Sequence, residues 1–322
     1  MKALVTGATG FVGSHLVEAL RRDGHEVAAL VRNPGKAAFL ASLGVKQISG
    51  DLSDPDAVAR AADGCDVVFH VAGVTAALDE AGYLAVNRDR TRAVVEGAER
   101  GGAARLVYVS SMAAGGPSAP GRPLTGPEPP SPVTAYGRSK LAGEQEVRAG
   151  RVPWSIVRPP MVYGPRDREV LKVFRLARLG VAPVFGNGRQ ELSAVHAADL
   201  AASLVAAAGS PAAIGGVYYA CHPQIFTSEA FVRAVGRAAG RAVVVLRIPR
   251  AVGHVALSGT GMLARAAGRA TILNADKGNE FFQPAWTGDP GPLTAATGWR
   301  AVHDLNSGLA DTWQWYRSAR WI

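Results

Sequence analysis

Lys2-Ala3-Leu4-Val5-Thr6-Gly7-Ala8-Thr9-Gly10-Phe11-Val12-Gly13 opens this chain and decides how the rest of it is read. Residues 2–6 form a short apolar run with strand character, and an amphipathic stretch from Gly13 to Asp23 follows at once. A strand therefore passes into a helix across three glycines spaced three apart. Gly7 allows the tight turn, Gly10 lets backbone N–H groups approach a pyrophosphate, and Gly13 permits close packing of helix on strand. Gly-x-x-Gly-x-x-Gly alone is a weak pattern. Its strand-turn-helix setting gives it weight.

Working outward, the same alternation repeats. Lys2 to Thr6, Glu26 to Val31, Lys46 to Ser49, Val67 to Val71, Arg105 to Ser110 and Trp154 to Arg158 read as strands. Gly13 to Asp23, Lys36 to Leu43, Asp56 to Ala62, Tyr83 to Gly101 and Tyr136 to Ala149 read as helices between them. This is the order of β-α-β units on a parallel sheet, so the fold class is α/β: a Rossmann doubly wound sheet with a smaller C-terminal α/β part. We expect residues 1–165, with a returning segment near 193–222, to hold a dinucleotide, and residues 166–322 to bind substrate. Helices are expected there at Val170 to Gly180, Ala198 to Ala208, Ser228 to Gly240, Pro249 to Gly268 and Asn306 to Trp321. The Pro/Gly/Ser-rich segment Gly115 to Thr134 reads as a long irregular loop leading to Tyr136, and is expected to act as a substrate-facing lid.

Composition limits the alternatives. Of 322 residues 48% are apolar and 19% charged, which excludes a disordered or fibrous chain. The net charge of +9 comes from scattered arginines without a basic run, so no nucleic-acid role is expected. Cys65 and Cys221 lie far apart, supporting neither a disulfide framework nor a metal site. Thr6-Gly7 interrupts the apolar start before a signal-peptide core forms. Ala251 to Leu273, the most apolar late stretch, is broken by His254, Arg265 and Arg269, too polar for the roughly 20 residues that cross hydrocarbon. A cytoplasmic protein without a membrane span is expected.

The strand ends carry the chemistry. An acid at the end of the second strand grips a ribose 2′-hydroxyl; this chain has Val31-Arg32-Asn33 instead. Arg32 offers a guanidinium to a 2′-phosphate, with Asn33 and Lys36 as helpers, although a solvated loop arginine is the plainer alternative. Gly50-Asp51-Leu52 places a carboxylate near an adenine, or caps a helix. Val71-Ala72-Gly73 ends the fourth strand with small residues beside the cofactor. Tyr136 and Lys140 stand one helical turn apart on one face, a spacing at which the ammonium stabilises a phenolate and makes tyrosine a general acid/base. Ser111, at the end of Val109-Ser110-Ser111, is placed to hydrogen-bond a reacting oxygen.

Taken in this order and spacing, these motifs resemble the extended short-chain dehydrogenase/reductase superfamily, its NAD-dependent epimerase/dehydratase-like branch. Further matches are Phe69-His70-Val71-Ala72, Asn87 with Thr91, Arg158-Pro159-Pro160-Met161-Val162-Tyr163-Gly164-Pro165, and Val195-His196 through Asp199. The resemblance implies catalysis by Ser111, Tyr136 and Lys140. It implies a cofactor held by Gly7, Thr9, Gly10, Phe11, Val12, Gly13, Arg32, Asn33, Lys36, Asp51, Leu52, Val71, Ala72, Gly73, Tyr136, Lys140, Arg158, Pro159, Met161 and Val162, with no metal. It also implies a homodimer through the helices Tyr83 to Gly101 and Tyr136 to Ala149. NADP is the expected cofactor, NAD the second choice. The Leu-Val-Arg-Asn strand end is most similar to dihydroflavonol-reductase and 3β-hydroxysteroid-dehydrogenase-like members.

Departures bear on the substrate. Sugar-nucleotide enzymes of this branch usually carry an Arg-Asp pair shortly before the Val-His segment, where this chain has Leu192-Ser193. Arg88-Asp89-Arg90 follows Asn87 where a glycine is common, and Ala198 replaces a frequent Asp. An NADP(H)-dependent oxidoreductase interconverting a small-molecule carbonyl and its alcohol is therefore expected first. A sugar-nucleotide epimerase or dehydratase with tightly held NAD comes second, and a redox-sensing binding protein third. His70 reads as hydrogen-bonded structure, His196 with Asp199 as caps of the helix at Ala198, and Trp313, Trp315, Tyr316 and Trp321 as packing for the last helix.

Overall fold

Seven strands form one parallel sheet: β1 (Lys2–Thr6), β2 (Glu26–Val31), β3 (Lys46–Ser49), β4 (Val67–His70), β5 (Arg105–Val109), β6 (Trp154–Val157) and, returning from much later in the chain, β11 (Val217–Tyr218). The computed structural model describes residues 1–34 and 37–322. Spatial order is β3-β2-β1-β4-β5-β6-β11, so the order reverses between β1 and β4. That switch opens a crevice beyond the carboxyl ends of the strands. Register is regular, with Lys2 opposite Glu26 and Thr6 opposite both Leu30 and His70. The central strands are apolar runs because both faces are covered.

One face carries α1 (Phe11–Arg22) and α9 (Ala197–Gly209), whose Leu16, Leu20, Leu200 and Leu204 pack on Val5, Phe69 and Val107. The other face carries α3 (Pro55–Ala62), α5 (Arg90–Arg100) and α7 (Ala135–Ala149), with Val58, Val94 and Val147 against Leu4, Val68 and Ile156. At roughly 1.5–3 kcal/mol per fully buried aliphatic side chain, these two layers hold the strand ends in place. Short α2 (Ala38–Ser42) connects β2 to β3.

The expected single helix from Tyr83 to Gly101 is broken into α4 (Glu80–Leu84), one turn of π-helix (Ala85–Asp89) and α5. Within the wide turn Asn87 accepts from the Val74 N–H (2.9 Å) and donates to the Val74 carbonyl (3.0 Å) and to Ser139 Oγ (2.9 Å). A π-turn frequently marks a functional site, and this one fixes the loop after β4 against α7.

The remaining chain adds β7 (Met161–Tyr163), α8 (Glu169–Arg178), β8 (Val181–Phe185), β9 (Glu191–Leu192), β10 (Ala194–His196), β12 (Phe226–Thr227), α10 (Ser228–Ala238), β13 (Val244–Ile248), α11 (Arg250–Ala266), α12 (Ala275–Phe281), β14 (Ala285–Trp286), α13 (Gly291–Thr297) and α14 (Leu305–Ser318); α6 (Met112–Gly115) precedes α7. A second core gathers Phe174, Val184, Phe231, Val235, Leu309 and Tyr316, on which Trp313, Trp315 and Trp321 pack as expected.

Two expectations are corrected. The Gly115 to Thr134 segment is no free lid: Ser118 N–H donates to Ala285 O (3.1 Å), Leu124 N–H to Thr287 O (2.9 Å) and Asp289 N–H to Leu124 O (2.8 Å), stapling it to residues 285–289, while Ser131 N–H closes it on its own Gly115 O (2.8 Å). Nor do the side chains of His196 and Asp199 cap α9. His196 occupies the cap position without a side-chain bond, and Asp199 accepts from the backbone of Val302 and His303 and pairs with the His303 ring at 2.9 Å. Among the described residues no helix is long and apolar enough to cross a membrane.

Candidate active site

Most of the expected cofactor positions follow the carboxyl end of a strand of the parallel sheet or lie on a helix beside one, whereas Met161 and Val162 lie within β7, which pairs with β10 in a separate two-stranded sheet. Lys36 lies outside the described residues. After β1, Gly7 adopts φ +72°, and a Cβ there would stand 2.7 Å from the Ala72 nitrogen. A Cβ on Gly13 would stand only 2.1 Å from the Gly7 carbonyl oxygen, so close packing of helix on turn demands glycine. Gly10 is the cap residue of α1 and supplies no side-chain bond, while Thr9 is exposed and Phe11 and Val12 are half-buried. The first N–H groups of this helix face the crevice with no side chain filling the approach, a cradle that fits a pyrophosphate.

After β2, Arg32 and Asn33 are exposed, and among the described residues Arg32 makes no hydrogen bond or ion pair. After β3, Asp51 accepts from Ser53 Oγ (2.7 Å) and the Ser53 N–H (2.9 Å). Those bonds, with the nearby guanidiniums of Arg90 and Arg32, hold its carboxyl below the ordinary range. Capping of α3 falls to Asp54 instead. Leu52 is half-buried against the core. After β4, Val71, Ala72 and Gly73 line the floor, and a Cβ on Gly73 would come within 3.6 Å of Lys140 Nζ. Smallness there keeps the space before the ammonium open.

Ser111 caps α6, its Oγ accepting from the Ala113 N–H at 3.2 Å, and its hydroxyl lies on the side of the Tyr136 phenol, whose pKa it acts to lower. Tyr136 and Lys140 sit in the first turns of α7, whose cap Thr134 accepts from the Gly137 N–H at 3.1 Å. The Lys140 Nζ donates to the Val109 carbonyl (2.9 Å) and lies 4.3 Å over the Tyr108 ring. Burial, partly opposed by Glu144, pulls its pKa down to about 7. Burial pushes the Tyr136 phenol up to about 12, opposed by Ser111 and reinforced by Glu280 and Tyr83. In the chain alone the tyrosine is therefore raised rather than lowered, with burial as the main cause. The structure brings Ser111, Tyr136 and Lys140 to one place with a phenol that keeps its proton at neutral pH.

Arg158 does not turn toward the crevice. It is 2% exposed, and its Nε and Nη2 each donate to Glu144 at 2.8 Å while Nη1 reaches the Tyr219 hydroxyl at 3.3 Å. Its guanidinium is thus held inside the protein by Glu144 and Tyr219 rather than presented to the crevice. Pro159 offers its carbonyl to the Met112 N–H (2.9 Å), and Met161 and Val162 are half-buried on β7. His70 is structural: it bonds Thr6 and Thr91 at 2.8 and 3.0 Å, and burial lowers its pKa to about 3.

Four residues at the site escaped the sequence reading. Glu144, one turn beyond Lys140, also accepts from Ser110 Oγ at 2.6 Å. Tyr83 packs its ring 6.1 Å from that of Tyr136. From α12, Asp276 accepts the Ala135 N–H and Glu280 the Thr134 hydroxyl, both at 2.8 Å. Glu144 at i+4 from Lys140 was the one legible signal.

Residues 3–221 match the NAD dependent epimerase/dehydratase family. Ceramide reductase of Caulobacter vibrioides is 35% identical, over 99% of this chain and 95% of that protein. Among solved structures, gox2253 superposes with a TM-score of 0.81 at 26% identity, covering 98% of both chains. The NAD complex of UDP-glucose 4-epimerase from Thermus thermophilus superposes with a TM-score of 0.79, covering 99% of this chain and all of that one; at 24% identity it is a likeness of fold alone.

Proposed function

The chain belongs to the NAD dependent epimerase/dehydratase family, as an NAD(P)-dependent oxidoreductase of the extended short-chain type, and from that premise we propose that it is an NADP(H)-dependent reductase of a weakly polar, lipid-like ketone. The observation that carries this reading is the placement of Ser111 at the cap of α6 beside Tyr136 and Lys140 on α7, with the phenol protonated at neutral pH. A nicotinamide dinucleotide supplies the hydride when bound. The uncapped turn at Gly7, Gly10 and Gly13 would hold its pyrophosphate, and Arg32 its 2′-phosphate. Residues 1–165 with the returning segment near 193–222 carry the cofactor in this reading, and 166–322 the substrate.

Ser111 Oγ orients the ketone oxygen, and Tyr136 Oη gives that oxygen its proton. A phenol held up to about 12 carries its proton at neutral pH but is a weaker acid than an ordinary tyrosine, so the transfer depends on a positive charge beside the phenolate. Lys140, held by Val109, keeps a positive charge near the phenolate as it forms, and a bound anionic cofactor raises its proton affinity. The lipid-like substrate is supported by the similarity to ceramide reductase and by Leu192 and Ser193. Leu192 pairs with Phe226 and Ser193 Oγ accepts from the Gly288 N–H, so no cation for a diphosphate stands there. The rival sugar-nucleotide reading lacks that anchor. A homodimer through the outer sides of α5 and α7 is part of the proposal.

Tyr136→Phe tests it. Cofactor affinity should be unchanged, and NADPH oxidation against a panel of long-chain and short-chain ketones should fall about a hundredfold or more. Near wild-type turnover in the variant would refute the assigned role.

A further inference from the structure

α11 presents its apolar side to solvent. Only Gly253 and Leu257 of its 17 residues are buried. Val252, Val255, Met262 and Leu263 are 57%, 74%, 73% and 74% exposed. On a period of 3.6 these four fall on one arc with only alanine and glycine between them, and no charged or hydrogen-bonding side chain interrupts it. The polar residues Ser258 and Arg265 follow on one side of it, with His254 and then Arg250 further round the helix. A helix that is apolar outward and polar at its edge is built to meet a second phase.

The surroundings say which one. Residues 230–275 contain seven arginines and no Asp or Glu; Arg233 and Arg247 pair with Glu229, which leaves Arg237, Arg241, Arg250, Arg265 and Arg269 without a carboxylate partner among the described residues. Two copies meeting through this face would bring arginines against arginines, whereas an anionic surface complements them. Position adds to this. Arg265 Nη2 donates to the Leu78 carbonyl at 2.6 Å, just before α4 and Tyr83, and α12 beyond it holds the start of α7 through Asp276 and Glu280. The exposed arc thus flanks the substrate side of Tyr136.

We propose that α11 lies in the plane of an anionic lipid bilayer, its apolar arc at the boundary of headgroups and acyl chains and its arginines on lipid phosphates, so that the site draws its ketone from the membrane. The docking rests on the helix alone; the use made of it rests on the lipid-ketone reading above.

Co-sedimentation of the full chain with vesicles of phosphatidylcholine, with and without phosphatidylglycerol, tests the docking without turnover. Binding should strengthen with phosphatidylglycerol. Val255→Glu with Met262→Glu should weaken it about tenfold or more, and Arg250→Gln with Arg269→Gln should weaken it on anionic vesicles by about fivefold per charge removed. Both double variants should retain wild-type turnover of a water-soluble ketone and lose turnover of a vesicle-borne one. Failure of the wild type to sediment, or equal sedimentation of the glutamate variant, overturns the docking. A wild-type dimer that ignores vesicles and dissociates in the glutamate variant overturns it too, assigning the face to a second copy. Vesicle binding without turnover of any ketone upholds the docking and overturns the lipid-ketone reading.

Discussion

Replacing Glu144 by Gln removes one charge from a site where its main partner, Arg158, is out of water. Glu144 is 0% and Arg158 2% exposed, and their two 2.8 Å bonds are joined by Ser110 at 2.6 Å and Arg148 at 3.0 Å. The variant leaves the Arg158 guanidinium buried without its counter-charge, a loss of about 3–5 kcal/mol, of which the surface half of the network, Arg148, contributes little. Unfolding entropy near 2.1 cal/mol/K per residue gives about 0.7 kcal/mol/K for 322 residues unfolding as one unit. Tm should therefore fall by about 4–7 °C. Arg158→Met strands the carboxylate instead and should cost a similar amount. Glu144→Gln with Arg158→Met should cost less than the sum of the singles by about 2 kcal/mol, since each single already forfeits the same pair. Thermal or urea unfolding of the three variants measures this cycle. Additive losses, or a Glu144→Gln change below about 1 kcal/mol, would refute the claim that this ion pair ties α7 to β6 and the end of β5.

Exposed Arg32 points to the low end of the range for a charge-assisted bond, so NADPH should bind about tenfold more tightly than NADH; fluorescence titration of both cofactors checks it, and Arg32→Asp should reverse the order. Lys140 titrates near 7 folded and 10.5 unfolded. Above about pH 7 the unfolded chain holds a proton that the folded chain has released, so the cofactor-free protein should gain stability as pH rises from about 7 toward 10.5, with the burial penalty fully present below 7. Unfolding curves between about pH 6 and 8.5 should show that gain in the wild type and lose it in Lys140→Met.

The strands, the glycine turn and the pairing of Tyr136 with Lys140 were legible because each rests on short-range pattern: an apolar run, a turn that only glycine fits, and an i,i+4 spacing. β1, β2 and β3 fall on the residues the periodicity names, and the order of β-α-β units implies the parallel sheet. What the tertiary structure decided depends on partners distant in sequence. Arg158 resembles a cofactor ligand along the chain but is consumed by Glu144, 14 residues away, and Tyr219, 61 away. The Pro/Gly-rich segment before Tyr136 looks unpaired locally, yet its hydrogen bonds go to residues 285–289. Asn87 interrupts its helix because Val74 and Ser139 satisfy it better than a regular turn does. The Tyr136 phenol keeps its proton because its surroundings exclude water, and that exclusion comes from packing rather than from its neighbours in the chain. An apolar stretch such as Ala251 to Leu273 shows its composition in the sequence, but only the fold determines that its apolar side faces outward.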